Sequence, residues 1–321
     1  MPKINIFCKA SVVEGLGHLF RQIHIASELR KQNVDIVFYI PRFPTAENIL
    51  KKYNFSQKII DRFEQPLITN MGKTDATILD IQDTPSSLIK FLRKQSCKIV
   101  SFEDQGEGRN LVDLLIDCNL NSDDSKNIPQ KVNTLFGLSY SVLGPNFETQ
   151  HTKIRDFSDK IETLLLTFGG TDPHNITLDL AKQVPKNIKT TIILGAGFKN
   201  EDGLQKFDSI QIEKNVQDMA SMLVNHDAVF CSGGVTLHEA MCVGTPAFVI
   251  SQAPHQEDKA KMAEKAGAAI NLGQAKSWEV NRLPEIFKLG RKNLHDMSMA
   301  GKNCINGKGL KKVVKAILAT S

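Results

Sequence analysis

Short apolar runs alternate with segments of helical period along the whole chain. The run Ile4 to Cys8 is followed by a stretch in which Leu19, Ile23, Ala26 and Leu29 fall on one helical face, and then by a second run, Val34 to Ile40. Further strands are predicted at Ala76 to Leu79, Lys98 to Phe102 and Leu114 to Ile116. After the polar stretch Glu148 to Asp159, which reads as a linker, a second set begins at Thr163 to Phe168. It continues at Thr190 to Leu194, Ile210 to Ile212, Ala228 to Cys231, Ala247 to Ile250 and Ala268 to Asn271. Strands separated by helices pair in parallel through crossovers, so the pattern predicts an α/β protein with two Rossmann-like domains. Their expected limits are 1–148 and 160–321, with tail helices near Pro284 to Lys292 and Leu310 to Ala319. Open parallel sheets bind ligands at the carboxyl ends of their strands, which places the expected cleft between two facing sheets.

Composition narrows the class. A chain of 321 residues, 41% apolar, can bury two cores. The net charge of +5 is a slight excess, 40 basic against 35 acidic residues, supplied in part by Lys308, Lys311, Lys312 and Lys315. With three tyrosines and one tryptophan, the chain lacks the basic stripe interleaved with aromatics that nucleic acid demands. No apolar run approaches the roughly 18 residues of a membrane span, and the opening MPKINIFCK enters a strand pattern directly. The expectation is a cytoplasmic protein without an integral membrane segment. Six cysteines without C-x-x-C spacing indicate neither a disulfide framework nor a zinc knuckle.

Three glycine turns carry candidate chemistry. The first strand leads to Gly15-Leu16-Gly17-His18, with Arg21 one helical turn on, and Gly15, Gly17 and Arg21 are expected to contact the substrate. His18 at a helix N-terminus meets a dipole that disfavours the imidazolium, which suits the ring to accept a proton as a general base; a capping or surface role is the plainer alternative. A dinucleotide fingerprint would need a third glycine where Phe20 stands, and its ribose-binding acid should end the second strand, whereas Asp35 begins it. The second turn, Gly169-Gly170-Thr171, either cradles a diphosphate with its amides or serves only the strand-to-helix connection. The third, Gly233-Gly234, opens a helix at Thr236, with Glu239 placed to grip ribose hydroxyls. Thr236 and Glu239 also spell a capping box, which needs no ligand. His255 and Gln256, ahead of a helix over Lys259 to Ala266, could reach the same cleft.

Metal chemistry finds little support, because His238-Glu239 lacks the second histidine of H-E-x-x-H, position 242 being Cys242, and no D-x-D pair occurs. Neither a metal nor another cofactor is expected. The acidic pair Glu103-Asp104 reads either as an exposed turn or as a group that orients His18 or a substrate hydroxyl.

The ordered segments GLGHLFRQ (15–22), DLLIDCNLN (113–121), FGLSYSVLGPNF (136–147), TFGGTDPHN (167–175), NVQDMASMLVNHD (215–227) and SGGVTLHEAMCVGTPAFVI (232–250) together resemble a known family. It comprises the UDP-sugar hydrolase of pseudaminic acid biosynthesis and the related spore-coat polysaccharide biosynthesis proteins. These share the GT-B fold of the peptidoglycan N-acetylglucosaminyl transferase. The last segment is common to many GT-B glycosyltransferases, whereas G-x-x-Y-x-x-L-x-P-x-F and the preceding D-x-N point to the hydrolase branch. The resemblance implies a UDP-sugar substrate, metal-independent release of UDP and a free, inverted hexose, and a catalytic base at His18. A glycosyltransferase using the same donor, or a nucleotide-sugar binding protein without turnover, are the rival expectations.

Overall fold

The computed structural model describes residues 1–11, 15–63, 72–119, 127–195, 197–198, 200–204, 207, 210–214 and 216–319. Leu120, Asn121 and Asn215, which belong to the resembling segments, lie outside these. The chain divides into two compact units. One is Met1–Val142 together with Lys308–Ser321, and the other is Leu143–Gly307.

The first unit runs β1 (Lys3–Cys8), α1 (Gly17–Lys31), β2 (Asp35–Pro41), α2 (Pro44–Lys52), β3 (Ser56–Ile60), β4 (Thr74–Asp80), α3 (Ser86–Leu92), β5 (Ser96–Phe102), β6 (Leu114–Asp117) and β7 (Asn133–Phe136). Its strands form one sheet in the order β3-β2-β1-β4-β5-β6-β7, with every neighbouring pair parallel. The apolar face of α1 packs as expected, with Leu19, Ile23, Ala26 and Leu29 buried beneath it. The two edge strands, β3 and β7, were not expected. Their sequences SQKII and NTLF leave half or more of their positions open to solvent, so neither shows the continuous apolar run of a strand covered on both faces.

The second unit contains α4 (Asn146–His151), β8 (Thr163–Thr167), α5 (Ile176–Ala181), β9 (Lys189–Leu194), β10 (Ile210–Lys214), α6 (Met219–Val224), β11 (Ala228–Cys231), α7 (Val235–Val243), β12 (Ala247–Ser251), α8 (Pro254–Lys265), β13 (Ala269–Gln274), α9 (Leu283–Ile286) and α10 (Arg291–Cys304). Its parallel sheet has the order β10-β9-β8-β11-β12-β13. The stretch read as a linker is a fixed part of this unit. Phe147 of α4 is buried, and the Arg155 guanidinium donates to the carbonyls of Leu223 and His226 and to the Thr245 hydroxyl at 3.1, 2.5 and 2.8 Å.

The last helix, α11 (Gly309–Leu318), belongs to the first unit, whereas the expected limits had put it in the second. Its residues Leu310, Val313, Val314 and Ile317 form a stripe of helical spacing that joins the core under β1, β2 and β4. The buried Lys98 of β5 donates to the carbonyls of Ala316 and Ile317 at 3.0 and 2.8 Å, satisfying the open C-terminal end of the helix.

Both sheets have a point where the strand order reverses direction: between β1 and β4 in the first unit, and between β8 and β11 in the second. The connections leaving the two strands there diverge, and the carboxyl ends of strands at such a point are where open α/β sheets bind ligands.

Candidate active site

At the reversal point of the first sheet, β1 leads into α1 and β4 ends on Asp80. Gly15 has φ 74 and makes a bridge with Ser11, Gly17 is the first residue of α1, and His18 is the second. Among the described residues no side chain caps this end of α1, whose N-cap is Leu16, and no acidic residue stands in its first turn. His18 Nδ1 lies 2.7 Å from Asp80 Oδ1. An ionised carboxylate only accepts, so Nδ1 carries the proton at this contact, and in a neutral ring Nε2 then keeps its lone pair. The His18 side chain retains 16% of its exposure, so this second nitrogen belongs to a ring still open to solvent.

Asp80 is fully buried and saturated with donors. Arg21 reaches it through Nε to Oδ2 at 2.9 Å and through a terminal nitrogen to Oδ1 at 2.7 Å, and Gln22 Nε2 donates to Oδ2 at 2.8 Å. Burial alone would raise this carboxyl, but Arg21 and His18 outweigh it and hold it at about 2. Arg21 was expected to contact substrate. Its guanidinium is instead buried against Asp80 and, on its other side, Glu103 at 2.6 Å, and it stacks 5.5 Å above the Phe102 ring. The acidic pair after β5 divides between two tasks. Glu103 meets Arg21, while Asp104, far from being an exposed turn residue, is fully buried and accepts from the Thr84 and Gly106 amides and the Ser101 hydroxyl at 3.0, 2.9 and 2.6 Å. Asp80 escaped the reading of the sequence. Its one local signal was an acid closing an apolar strand, ATILD, at a carboxyl end.

In the second unit the strand-end loops gather around glycines. Gly169, with φ 79, and Gly170 follow β8. The loop after β9 packs so closely on them that a Cβ on Gly195 would stand 2.2 Å from the Gly169 carbonyl oxygen, and the Gly197 amide donates to the Gly170 carbonyl at 2.8 Å. Thr171, half-buried, abuts Gly197. The helix that follows is not open to a ligand, because Asp172 accepts from the Ile176 and Thr177 amides at 3.1 and 2.8 Å and so satisfies the start of α5. An anion site here would use the loop amides and not the start of α5.

Gly233 and Gly234 follow β11. A Cβ on Gly233 would lie 2.2 Å from the Gln256 carbonyl oxygen, so only glycine lets this turn rest on the start of α8. Gln256 and His255 lie within the first turn of α8 rather than ahead of the helix. The Gln256 side chain accepts from the Gln252 amide at 2.9 Å, and Gln252 in turn donates to the Phe168 carbonyl at 2.9 Å, tying the ends of β8 and β12 together. His255 is exposed.

The capping-box alternative for Thr236 and Glu239 does not form. The helix α7 begins at Val235 with Gly234 as its N-cap and no side-chain cap, which leaves Thr236 one residue inside. Among the described residues no hydrogen bond or ion pair reaches Glu239, although it is only partly exposed. Burial pushes its carboxyl up to about 7. Because the folded value lies above the ordinary 4.5, the protonated form is favoured by folding. Stability is full below about 4.5 and falls as pH rises through about 7. Glu239→Gln is therefore expected to raise stability at pH 8 by about 1–3 kcal/mol and to flatten the stability profile between pH 5 and 8, as read by urea unfolding.

Among the described residues no group of three or more His, Cys, Asp or Glu side chains could hold a metal ion, and no helix is long and apolar enough to cross a membrane.

Comparison with known proteins agrees with this architecture. No protein-family model matches the chain. It is 26% identical to the spore coat polysaccharide biosynthesis protein SpsG of Bacillus subtilis, over 97% of this chain and 96% of that protein. It is 23% identical to the UDP-2,4-diacetamido-2,4,6-trideoxy-beta-L-altropyranose hydrolase of Campylobacter jejuni, over 80% of this chain and 94% of the hydrolase. An uncharacterized protein of Methanocaldococcus jannaschii is 28% identical over 78% of this chain, which spans only 56% of that longer protein. Among solved structures, Acinetobacter baumannii MurG superposes over the full length of both chains with a TM-score of 0.67 at 16% identity. The spinosyn rhamnosyltransferase SpnG complexed with thymidine diphosphate gives 0.60 at 14% identity, over 97% of this chain and 96% of its own. The fold is GT-B, with two parallel-sheet α/β domains.

Proposed function

We propose that the protein hydrolyses a UDP-sugar in the biosynthesis of a surface polysaccharide or nonulosonic acid, releasing UDP and a free, 2,4-diacetamido-2,4,6-trideoxy hexose. The observation that carries this reading is the pair His18–Asp80, which leaves an unprotonated Nε2 on a partly open ring backed by a buried carboxylate. Nε2 takes a proton from a water as the water oxygen attacks the anomeric carbon from the face opposite the diphosphate. The bond from that carbon to the diphosphate oxygen breaks, the configuration inverts, and Asp80 stabilises the imidazolium as it forms. UDP leaves with the bonding electron pair.

The second unit supplies the nucleotide site. Glu239, whose side chain meets no hydrogen-bond partner among the described residues, accepts hydrogen bonds from the ribose hydroxyls, which gives the carboxyl partners. The uncapped amides at the start of α7, beside Gly234 and Thr236, and the loop amides at Gly169, Gly170 and Thr171 bear the negative charge that grows on the leaving oxygen. His255 and Gln256 line the same strand ends. The similarity to the Campylobacter jejuni hydrolase supports hydrolysis and suggests the diacetamido-trideoxy class of sugar.

A second reading, transfer of the sugar to an acceptor, draws on the glycosyltransferases among the structural neighbours. One experiment separates the two. The protein is incubated with a panel of UDP-sugars that includes UDP-diacetamido-trideoxyhexoses, and UDP is followed without and with sugar or lipid acceptors. Release without acceptor supports hydrolysis, release that requires an acceptor supports transfer, and UDP binding without release in any mixture leaves a binding protein.

A further inference from the structure

Glu103 is the residue of the first unit whose backbone and side chain together ask for an explanation. It follows β5 with φ 46, a left-handed conformation that a glutamate adopts at a cost of about 1 kcal/mol or more. Its amide is fixed on the Ile116 carbonyl at 2.8 Å. The result is a carboxylate turned inward, 2.6 Å from the Arg21 guanidinium and 2.9 Å from the Cys118 sulfur. Arg21 is thus held between two carboxylates, Glu103 on one side and Asp80 on the other.

The contact between Arg21 and Asp80 shows why a second carboxylate matters. His18 Nδ1 and a terminal nitrogen of Arg21 both lie 2.7 Å from the same oxygen, Asp80 Oδ1, and 3.2 Å from one another. They share one acceptor atom, whose two lone pairs serve one donor each. A guanidinium paired with Asp80 alone would be held from one side only, free to shift along Oδ1 toward the imidazole nitrogen 3.2 Å away. Glu103 supplies a counter-charge from the opposite side. The groups that face His18 and its partners are Arg21 on α1, Asp80 on β4, Glu103 after β5, Cys118 after β6 and Cys8 on β1. Burial and the nearby Asp80 raise the Cys8 thiol well above its ordinary range, so it stays neutral. With a neutral imidazole, Arg21, Asp80 and Glu103 sum to one negative charge. Proton uptake by His18 brings the cluster to neutrality.

We propose that Arg21 and Glu103 are positioning residues for His18, acting through Asp80 to hold the imidazole in the Nδ1–H tautomer with Nε2 free. As it concerns a proton acceptor, the proposal rests on the reading of His18 as the general base. It differs from the expected substrate contact of Arg21, since every assigned bond of that guanidinium is made inside the protein.

The test uses the full-length protein labelled with 15N at histidine. The His18 signals are assigned by their loss in His18→Ala, and the tautomer is read from the two ring nitrogen shifts near pH 8. The wild type is expected to show a protonated Nδ1 and an unprotonated Nε2, and Glu103→Gln to move a measurable fraction to the Nε2–H form. The same variant is expected to lower kcat for UDP release about tenfold with KM within about twofold. Arg21→Lys, which keeps the charge and loses the fork, should shift the tautomer in the same direction. An Nε2–H ring in the wild type would overturn the proposal without any variant, as would a folded Glu103→Gln protein whose tautomer and kcat match the wild type. The tautomer measurement needs no substrate. If the wild type releases no UDP from any sugar, the hydrolase reading fails while the positioning claim is still decided by the spectrum.

Discussion

Replacing His18 with alanine is expected to lower acceptor-independent UDP release by about two to four orders of magnitude and to leave UDP affinity within about twofold. The two halves of this expectation follow from the division of labour. His18 sits on α1 of the first unit, whereas the candidate nucleotide contacts, Glu239 and the loops at Gly169 and Gly233, belong to the second. On the proposed reading, removing the imidazole takes away the group that receives the proton of the attacking water, while every residue proposed for the nucleotide keeps its side chain. Single-turnover release of UDP, with binding followed separately by calorimetry, is the measurement. Equal loss of binding and turnover would mean that the histidine holds the substrate rather than deprotonates water. Unchanged turnover would remove it from the reaction.

Asp80→Ala is expected to cost about 3–5 kcal/mol of stability, the largest effect on folding expected from any single change at the site. The carboxylate is fully buried and receives Arg21 through two donors, Gln22 through one and His18 through one. Alanine would strand a buried guanidinium with Glu103 as its remaining acidic partner and leave the Gln22 amide without its acceptor. Denaturant unfolding at pH 7 measures the loss. The charge itself has a separate signature. Because the folded carboxyl at about 2 lies below its ordinary 3.8, Asp80 contributes stability that is fully present above the ordinary value and is lost as pH falls through about 2. That contribution is about 2 kcal/mol. In Asp80→Asn the decline of stability between pH 4 and pH 2 should become shallower by about that amount. A profile that keeps its slope would show that another carboxylate governs acid unfolding.

These two variants also bear on each other. Asparagine can offer its carbonyl to only part of the set of donors that the carboxylate satisfied, and it can donate to His18 Nδ1 as readily as it accepts. The variant is therefore expected to lose activity through the wrong imidazole tautomer even where it remains folded, with KM changed less than kcat.

What the sequence by itself determined was the alternation of apolar runs and helical stretches, and with it the two parallel sheets. Interior strands such as Leu164–Leu166 or Ala247–Ile250 are covered on both faces, so nearly every residue must be apolar and the run is visible locally. The glycine turns at Gly169-Gly170 and Gly233-Gly234 were equally legible, and at Gly233 backbone does meet backbone. Edge strands such as β7 were not, because one side faces solvent and the composition is mixed. Nor was the place of α11, whose amphipathic stripe announces a buried face without naming the core it enters. The candidate site shows the same division. His18 and Glu239 were legible as residue types at helix starts, but only the folded chain brings Asp80 across 62 positions to His18, turns Arg21 and Glu103 inward, fills the start of α5 with Asp172 and leaves the Glu239 side chain without a hydrogen-bond partner among the described residues. A hydrogen bond depends on distance in space, and parallel strand order places strands far apart in sequence side by side, so no local pattern could carry those pairings.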